Sequence, residues 1–237
     1  MEFRHQGEDK KQYVQEMFDD ISPKYDFLNH FLSFGLDYYW RWKLVRALEL
    51  TDGDRVLDVA TGTGDVGFSI LKHHQVTVTG LDYSLNMVKT SRKKASRKKI
   101  QGFYVVQGDG ERLPFPDYSF NAITIAYGFR NIGHYEEALL EFQRVLKPGG
   151  QLMILEFSVP QNPFFRGLYN FYFHHVLPRI AALFSRSDAY RYLPESVDNF
   201  PTRTELMNMM EKSGFGSVKY QDITFGVTSI FMGKKLQ

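Results

Sequence analysis

The sequence predicts an α/β protein built on a doubly wound parallel sheet with helices on both faces. Short apolar runs alternate with stretches of helical spacing between residues 55 and 156. A glycine-rich turn at residues 61–65 follows the first apolar run directly, and an acid ends the second run. Strands that alternate with helices form parallel βαβ units, and such sheets bind ligands at the carboxyl ends of their strands.

Residues 1–50 are predicted to form an N-terminal helical cap. Apolar side chains recur at helical spacing in residues 14–21 and again in residues 36–50. Pro23 separates the two stretches, because proline disfavours a continuous helix. The second helix is expected to run to Leu50, before the turn at residues 51–54.

Residues 51–159 are predicted to form the ligand-binding core. Its expected strands are residues 55–59, 76–82, 103–106, 121–126 and 151–156. The helix after the fourth strand is expected to end at Pro148-Gly149-Gly150, because proline and glycine stop helices. A single domain then holds all of these elements.

Two segments complete the predicted domain. Residues 160–201 interrupt the alternation and are rich in Phe, Tyr and His, which predicts an inserted helical lid. Most of the lid's aromatic positions also fit the buried stripe of an amphipathic helix. Residues 202–237 are predicted to form a helix and an antiparallel hairpin, with strands at 216–224 and 227–233.

Composition excludes several kinds of chemistry. The 237-residue chain has no cysteine, so disulfides, thiolate zinc sites, iron–sulfur clusters and a cysteine nucleophile are ruled out. The net charge of +2 is too balanced for a surface that binds nucleic acid as a whole, and we predict no nucleic-acid partner. The basic run at residues 92–99 is expected to be a solvated helix face. We predict no metal site. The first residues lack the apolar stretch of a secretion signal, so we expect a cytoplasmic location.

The glycine-rich turn predicts a nucleoside cofactor. Residues 62–67, GTGDVG, match G-x-G-x-x-G, and Asp82 follows twenty residues after Gly62. This pattern fits NAD and S-adenosylmethionine (SAM) equally, because an acid can bind the ribose hydroxyls of either. Asp58 and Asp65 would repel a pyrophosphate, whereas they suit the ammonium and sulfonium groups of SAM. Alternatively, Asp65 only caps the following helix and interacts with the positive end of the helix dipole.

Asp109 and Gly110 follow the third predicted strand. A carboxylate at this place can accept a hydrogen bond from the adenine amino group, and the next backbone N–H can donate to a ring nitrogen. The alternative is an ordinary polar turn.

Longer motifs resemble one family closely. They are residues 56–66 (VLDVATGTGDV), 110–132 (GERLPFPDYSFNAITIAYGFRNI), 144–158 (RVLKPGGQLMILEFS) and 188–197 (DAYRYLPESV). The chain from about Val14 to Lys235 is similar to the bacterial ubiquinone/menaquinone-biosynthesis C-methyltransferases. The glycine loop and LKPGG are common to many SAM-dependent methyltransferases, whereas GFRN and DAYRYLPES are more specific.

The resemblance implies a Rossmann-like class I SAM-dependent methyltransferase that methylates a ring carbon of a prenylated quinol. The substrate would be demethylmenaquinol or 2-methoxy-6-polyprenyl-1,4-benzoquinol. SAM contacts would fall, motif by motif, on the following residues: Gly62, Thr63, Gly64, Asp82, Asp109 and Gly110. The chain departs from the family in Thr61-Gly62, where members often have two glycines, and in Asp109-Gly110, where they often have Asn-Ala.

Carbon methylation of a quinol needs a phenolate, and Arg130 and Asn131 are the predicted catalytic residues. Arg130 is too basic to accept the proton, but it can stabilise the phenolate or polarise a water. Asn131 can hold that water or the quinol oxygen. The alternative for Arg130 is a structural pair with a carboxylate of the cap. The cap residues Tyr25, Asp26 and Asn29, and Tyr190, Tyr192 and Glu195 after the lid, are expected to line the quinol pocket or to join cap and core.

The apolar, aromatic side chains of the lid suggest a groove for an isoprenoid tail and a peripheral contact with the inner face of the membrane. Two other functions remain open on the residues alone. One is an NAD-dependent Rossmann oxidoreductase, and the other is a non-catalytic SAM- or lipid-binding module.

Overall fold

A seven-stranded sheet runs through the protein. The structure is a computed structural model that describes residues 10, 11, 14, 30–177, 179 and 189–236. The strands are β1 (Arg55–Val59), β2 (Thr77–Asp82), β3 (Phe103–Gln107), β4 (Phe120–Ala126), β5 (Leu146–Phe157), β6 (Phe215–Ile223) and β7 (Thr228–Lys235). Their order is β3-β2-β1-β4-β5-β7-β6, with β1 to β5 parallel and β7 antiparallel to both of its neighbours. The predicted doubly wound sheet and C-terminal hairpin are confirmed.

Helices cover both faces of the sheet. They are α1 (Leu36–Ala47), α2 (Asp65–His73), α3 (Leu85–Arg97), α4 (Tyr135–Val145), α5 (Pro163–Phe171), α6 (Ala189–Asp198) and α7 (Arg203–Lys212). Helix α1 ends at Ala47 and not at Leu50 as predicted, because Leu48 takes an extended backbone conformation with ψ 131°. Within the described residues, no helix is long and apolar enough to cross a bilayer.

The predicted helix end at Pro148-Gly149-Gly150 is wrong. Helix α4 ends at Val145, and the three residues lie inside β5. The pairing of β4 with β5 shifts from Phe120↔Leu146 to Ala122↔Gln151, so residues 147–150 form an irregularity in the ladder. Gly149 has a φ of +75° there, a conformation that glycine adopts without a steric penalty.

Two apolar clusters fill the space between the sheet and its helices. One joins β4 and β5 to α4 and α7, with Phe120, Phe142 and Met210 buried in it. The other joins β1 and β2 to α1 and α2, with Trp40 and Ile70 buried in it. Parallel strands that are covered on both faces read as continuous apolar runs, which explains why β1 and β4 were clear in the sequence.

The lid segment is helical, as predicted. Helix α5 continues into a π-helical turn, Tyr172–Val176, and α6 follows further along the chain. Tyr169, Phe173 and Val197 form a small buried cluster in it. Of the predicted lid and cap residues, Tyr25, Asp26, Asn29, Ile180, Leu183, Phe184 and the side chain of Tyr190 lie outside the described part of the chain.

Candidate active site

A cleft opens where the sheet reverses its winding, between the carboxyl ends of β1 and β4. The chain leaves β1 toward β2 on one side and leaves β4 toward β5 on the other. Ala60 and Tyr127, just past the two strands, both have a left-handed backbone with φ near 50° and 56°. A Cβ on Gly128 would lie 2.4 Å from the Cβ of Ala60, so a glycine is needed for the two strand ends to approach. Open α/β sheets bind ligands at such a crossing.

The glycine loop joins β1 to α2 and is held by Asp82. The Gly62 N–H donates to Asp82 Oδ2 at 2.7 Å, and the Ser84 N–H donates to Oδ1 at 2.9 Å. Gly64 has a φ of +91° and precedes α2 directly. The structure thus brings together the predicted loop and the predicted ribose-binding acid, twenty residues apart in the sequence.

One part of the cleft is mostly apolar, and we call it the apolar end. It encloses about 790 Å³, including its open mouth. Its lining includes Val59, Leu81, Asp82, Met87, Asp109, Gly110, Asn131 and Ile132. A Cβ on Gly110 would approach Val59 Cγ1 at 3.2 Å, so this glycine keeps the wall close to the backbone.

Asp109 lies on the lining as predicted, but it already has partners. Its Oδ1 accepts from the Glu111 N–H at 2.9 Å, and its Oδ2 accepts from Lys11 Nζ at 2.9 Å. Lys11 also pairs with Glu111 Oε2 at 2.7 Å. Lys11, which lies 98 residues before Asp109 in the sequence, therefore reaches the position predicted to bind adenine. No motif of the sequence indicates a role for this lysine.

The second part of the cleft carries charged side chains, and we call it the charged end. It shares Ala60, Gly62, Ala126 and Tyr127 with the apolar end, so the two ends form one continuous site. Its volume is about 490 Å³. Its polar lining consists of His30, Arg41, Asp58, Thr61, Thr63 and Asp65.

Two acids predicted to face ligand cations occupy this charged end. Asp58 accepts from the hydroxyls of Thr61 at 2.6 Å and Thr124 at 2.7 Å. Burial raises its pKa from 3.8 to about 6, although these hydrogen bonds favour the charged form. Asp65 is bound to Lys94 Nζ at 2.6 Å, and the same ammonium donates to Thr63 Oγ1 at 3.1 Å. Asp65 therefore forms an ion pair with Lys94 of α3.

Arg130 lies in a short helical turn, Phe129–Asn131, directly after β4. Its Nη1 pairs with the fully buried Glu156 Oε1 at 2.7 Å, and its Nε donates to Ser196 Oγ at 3.3 Å. The predicted alternative placed the carboxylate partner in the cap, whereas Glu156 belongs to β5. Among the described residues, the lining of the apolar end includes Asn131 and leaves out Arg130.

Asn131 is the member of the predicted pair that faces the cleft. Its Oδ1 accepts a hydrogen bond from the Tyr192 hydroxyl at 3.0 Å. Tyr192 belongs to α6, so the segment predicted to line the quinol pocket contacts the predicted catalytic turn.

A cluster of two carboxylates and one imidazole lies beside the apolar end. Glu111, His134 and Glu137 could each offer one ligand atom to a metal. His134 Nδ1 is 2.8 Å from Glu111 Oε2, and Glu111 also binds Lys11. These pairs account for Glu111 without an ion, and the absence of a metal stays a prediction.

The residues present fit SAM better than a dinucleotide. Asp82 could bind a ribose diol, the narrow wall at Gly110 could take a flat base, and the charged end offers both signs of charge to a zwitterion. A pyrophosphate at the N-terminus of α2 would meet Asp58 and Asp65.

Solved structures share this architecture. A SAM-dependent methyltransferase from Aquifex aeolicus superposes with a TM-score of 0.62 at 19% identity, covering 83% of this chain and 89% of the other. Phosphoethanolamine N-methyltransferase 2 from Haemonchus contortus, in complex with S-adenosyl-L-methionine, gives a TM-score of 0.71 at 14% identity, covering 96% of this chain and 60% of the other. The fold and the cleft define a class I SAM-dependent methyltransferase.

The chain belongs to the ubiE/COQ5 methyltransferase family, whose model matches residues 6–235. It is 44% identical over 230 residues to the ubiquinone/menaquinone biosynthesis C-methyltransferase UbiE of Geobacter sulfurreducens, covering 96% of this chain and 90% of the relative. It is 45% identical over 230 residues to the demethylmenaquinone methyltransferase of Deinococcus radiodurans, covering 96% and 95%. The predicted family and cofactor are confirmed. The comparisons do not support an oxidoreductase or a non-catalytic module.

Proposed function

We propose that this protein transfers a methyl group from SAM to a ring carbon of a prenylated quinol. The substrate is demethylmenaquinol, which becomes menaquinol, or the 2-methoxy-6-polyprenyl-1,4-benzoquinol of ubiquinone synthesis. The observation that carries the proposal is membership of the ubiE/COQ5 family along nearly the whole chain. The names of the relatives support a quinone precursor as substrate.

When bound, SAM would supply a methyl group on a positively charged sulfur: a ring carbon would take the methyl group in line, the sulfur would leave as S-adenosylhomocysteine, and the methylated carbon would then lose its proton. A quinol ring becomes a sufficient nucleophile when one of its hydroxyls is ionised. The protein therefore has to place the ring, favour the phenolate and keep water out. The shared residues Ala126 and Tyr127 mark where the two ends of the cleft meet, and we propose that transfer takes place beside them.

Asn131 and Arg130 are proposed to act together on the quinol oxygen. Asn131 lines the cleft, so its amide can hold the oxygen or a water beside it. Arg130 is paired with Glu156, and its charge is partly balanced. Of the two predicted routes, this arrangement favours the indirect one, in which Arg130 polarises a water or orients Asn131 and leaves direct contact to the amide.

The central experiment incubates the protein with methyl-labelled SAM and each reduced quinone in turn. We expect label in the lipid product with one reduced substrate and none with the corresponding oxidised quinone, because a quinone has no ring hydroxyl to ionise. The naphthoquinol and benzoquinol arms identify the head group. Equal labelling of reduced and oxidised forms would reject the phenolate mechanism, and no labelling of either quinol would reject the proposed reaction.

We also propose that an exposed apolar surface contacts the membrane that holds the quinol. This surface, the aromatic face, consists of Phe34, Phe164, Leu168, Phe171 and Phe225, each more than half exposed. Phe164, Leu168 and Phe171 share one face of α5 by their spacing. Phe225 reaches α5 by stacking on Phe165 at 4.1 Å between ring centres, and Phe34 packs beside Tyr172 at 5.8 Å.

The neighbouring helix α1 adds features of a membrane interface. Lys43 Nζ lies 5.6 Å from the ring centres of both Tyr39 and Trp42, which are partly exposed. Tyrosine, tryptophan and basic side chains are typical of the headgroup region of a bilayer. We therefore propose a bilayer with anionic headgroups as the occupant of the aromatic face.

Sedimentation with vesicles that contain anionic lipid tests the membrane contact. The double variant Phe164→Ser, Leu168→Ser is expected to bind several-fold less than the wild type. Tyr104→Ser, on the edge strand β3 and equally exposed, is the control and should bind as the wild type does. Equal binding of the wild type and the double variant would reject the aromatic face as the contact.

A further inference from the structure

The charged end of the cleft contains an arginine and a histidine that no motif of the sequence assigns to it. Arg41 comes from α1 and His30 from the segment before it, and both line this end. Their side chains are only 13% and 25% exposed. They face the acids Asp58 and Asp65, which belong to the core. None of the roles proposed above uses Arg41 or His30.

A buried acid fixes the positions of both groups. Asp37 Oδ2 lies 2.8 Å from Arg41 Nη2 and 2.6 Å from His30 Nδ1. Its other oxygen accepts from the Ser33 hydroxyl at 2.9 Å. The Tyr38 ring stacks on His30 at 4.3 Å, and the Arg41 guanidinium carbon lies 5.1 Å from the same ring centre. The guanidinium is therefore held in place before any ligand arrives, which lowers the entropy cost of binding.

Charge at this end matches an amino acid in its zwitterionic form. Asp58 and Asp65 can attract an ammonium, and Arg41, which lines the charged end, lies 3.7 Å from Asp65. A guanidinium forms paired, charge-assisted hydrogen bonds with a carboxylate. Asp82 and the apolar end account for the adenosine part of SAM, so the methionine part is left for the charged end.

We infer that Arg41 binds the α-carboxylate of the cofactor's methionine part, and that Asp37 and His30 act as positioning residues for it. The inference rests on the proposed function, because it takes SAM as the ligand. It assigns the helical cap a direct role in holding the cofactor, beyond covering the substrate.

The test compares two ligands by isothermal titration calorimetry. S-adenosylhomocysteine carries the amino-acid part, and 5′-methylthioadenosine lacks it. Arg41→Met is expected to weaken S-adenosylhomocysteine by roughly tenfold to a hundredfold, the loss of a hydrogen bond to a charged group. Affinity for 5′-methylthioadenosine should be unchanged, which also shows that the variant is folded.

Two further variants make the result specific. Arg46→Met changes a residue of the same helix that lies over the exposed Trp42 ring, and it should bind both ligands as the wild type does. Arg41→Lys keeps the charge without the paired geometry and should recover part of the loss.

Wild-type affinity of Arg41→Met for S-adenosylhomocysteine, or an equal loss for both ligands, would overturn the inference. If the wild type binds neither ligand, the proposed function fails, which is a distinguishable result.

Discussion

The apolar and charged ends of the cleft are built in different ways. At the apolar end, the ends of strands and the close approach of Gly110 to Val59 shape a narrow space. At the charged end, side chains from two separate parts of the chain meet, with Arg41 from α1 and Asp58 from β1. The first end selects a ligand by shape and the second by charge.

This difference has an energetic meaning. The shape of the apolar end is set by hydrogen-bonded strands. It is therefore as stable as the sheet and changes only if the pairing of the strands changes. A charge pattern that depends on α1 is as stable as the contact of that helix with the sheet. A hydrogen bond from Trp40 Nε1 to Thr224 Oγ1 at 2.7 Å also ties α1 to the turn between β6 and β7. The two ends should therefore respond separately to substitution, except where they share residues.

The largest effect is expected at Glu156, which anchors the turn beside the apolar end. Its carboxylate is fully buried and pairs with Arg130 Nη1 at 2.7 Å. Glu156→Gln removes the buried negative charge that pairs with the Arg130 guanidinium, and we expect a loss of about 3–5 kcal/mol in the free energy of unfolding. Both ligands of the calorimetric test should weaken, because both carry the adenosine part assigned to the apolar end, which the turn borders.

Urea unfolding measures this loss, with Glu141→Gln as the matched control. Glu141 pairs with Arg144 at 2.7 Å on the surface, and its removal should cost about 1 kcal/mol or less. Equal destabilisation by the two substitutions would show that burial of the Glu156 pair has no special importance.

The next effect concerns the pH dependence of stability at the charged end. Burial raises the pKa of Asp58 from 3.8 to about 6, so the folded protein holds this proton more tightly than the unfolded chain. The stabilising contribution is complete below about pH 4 and is lost as the pH rises through 6. Relative to Asp58→Asn, the wild type should lose about 3 kcal/mol between pH 4 and pH 7, at about 1.4 kcal/mol per pKa unit.

Urea unfolding of both proteins across this pH range measures the difference. The Asp58→Asn protein lacks the titrating group, so its curve removes the contribution of every other titration. Parallel curves for the two proteins would mean that burial leaves the pKa of Asp58 the same in the folded and unfolded states.

The smallest of the three effects tests whether the two ends of the cleft bind different parts of the cofactor. Asp82 lies at the apolar end, where it accepts from the Gly62 and Ser84 N–H groups. Asp82→Asn is expected to weaken S-adenosylhomocysteine and 5′-methylthioadenosine by the same factor, about 1.5–3 kcal/mol in binding free energy. Calorimetry with the two ligands would then separate this variant from Arg41→Met. A larger loss for one of the two ligands would contradict the assignment of Asp82 to the ribose.

The sequence predicted the sheet, the glycine loop and the acid beyond it, because these features are local or strictly periodic. Buried parallel strands are continuous apolar runs, and the spacing from Gly62 to Asp82 is fixed by one βαβ unit. Asp109 was placed on the lining for the same reason, since it directly follows β3.

Features that depend on contacts between distant segments were not predicted. Nothing in the residues around Arg41 indicates that it faces Asp65, although the Asp37–Arg41 spacing is typical of an ion pair within a helix. Glu156 as the partner of Arg130 required the pairing of β4 with β5. The irregularity at residues 147–150 was interpreted as a helix end, because proline and glycine occur in both settings.

The crossing of the sheet also has a consequence during synthesis on the ribosome. β1 and β4 lie side by side, yet 60 residues separate the end of β1 at Val59 from the start of β4 at Phe120. A nascent chain that carries only the first three strands has the glycine loop but lacks the opposite wall with Ala126 and Tyr127. Both walls of the cleft are therefore present only once residue 132 of the 237 has left the ribosome, so a cofactor site with two walls does not exist during synthesis of the first half of the chain.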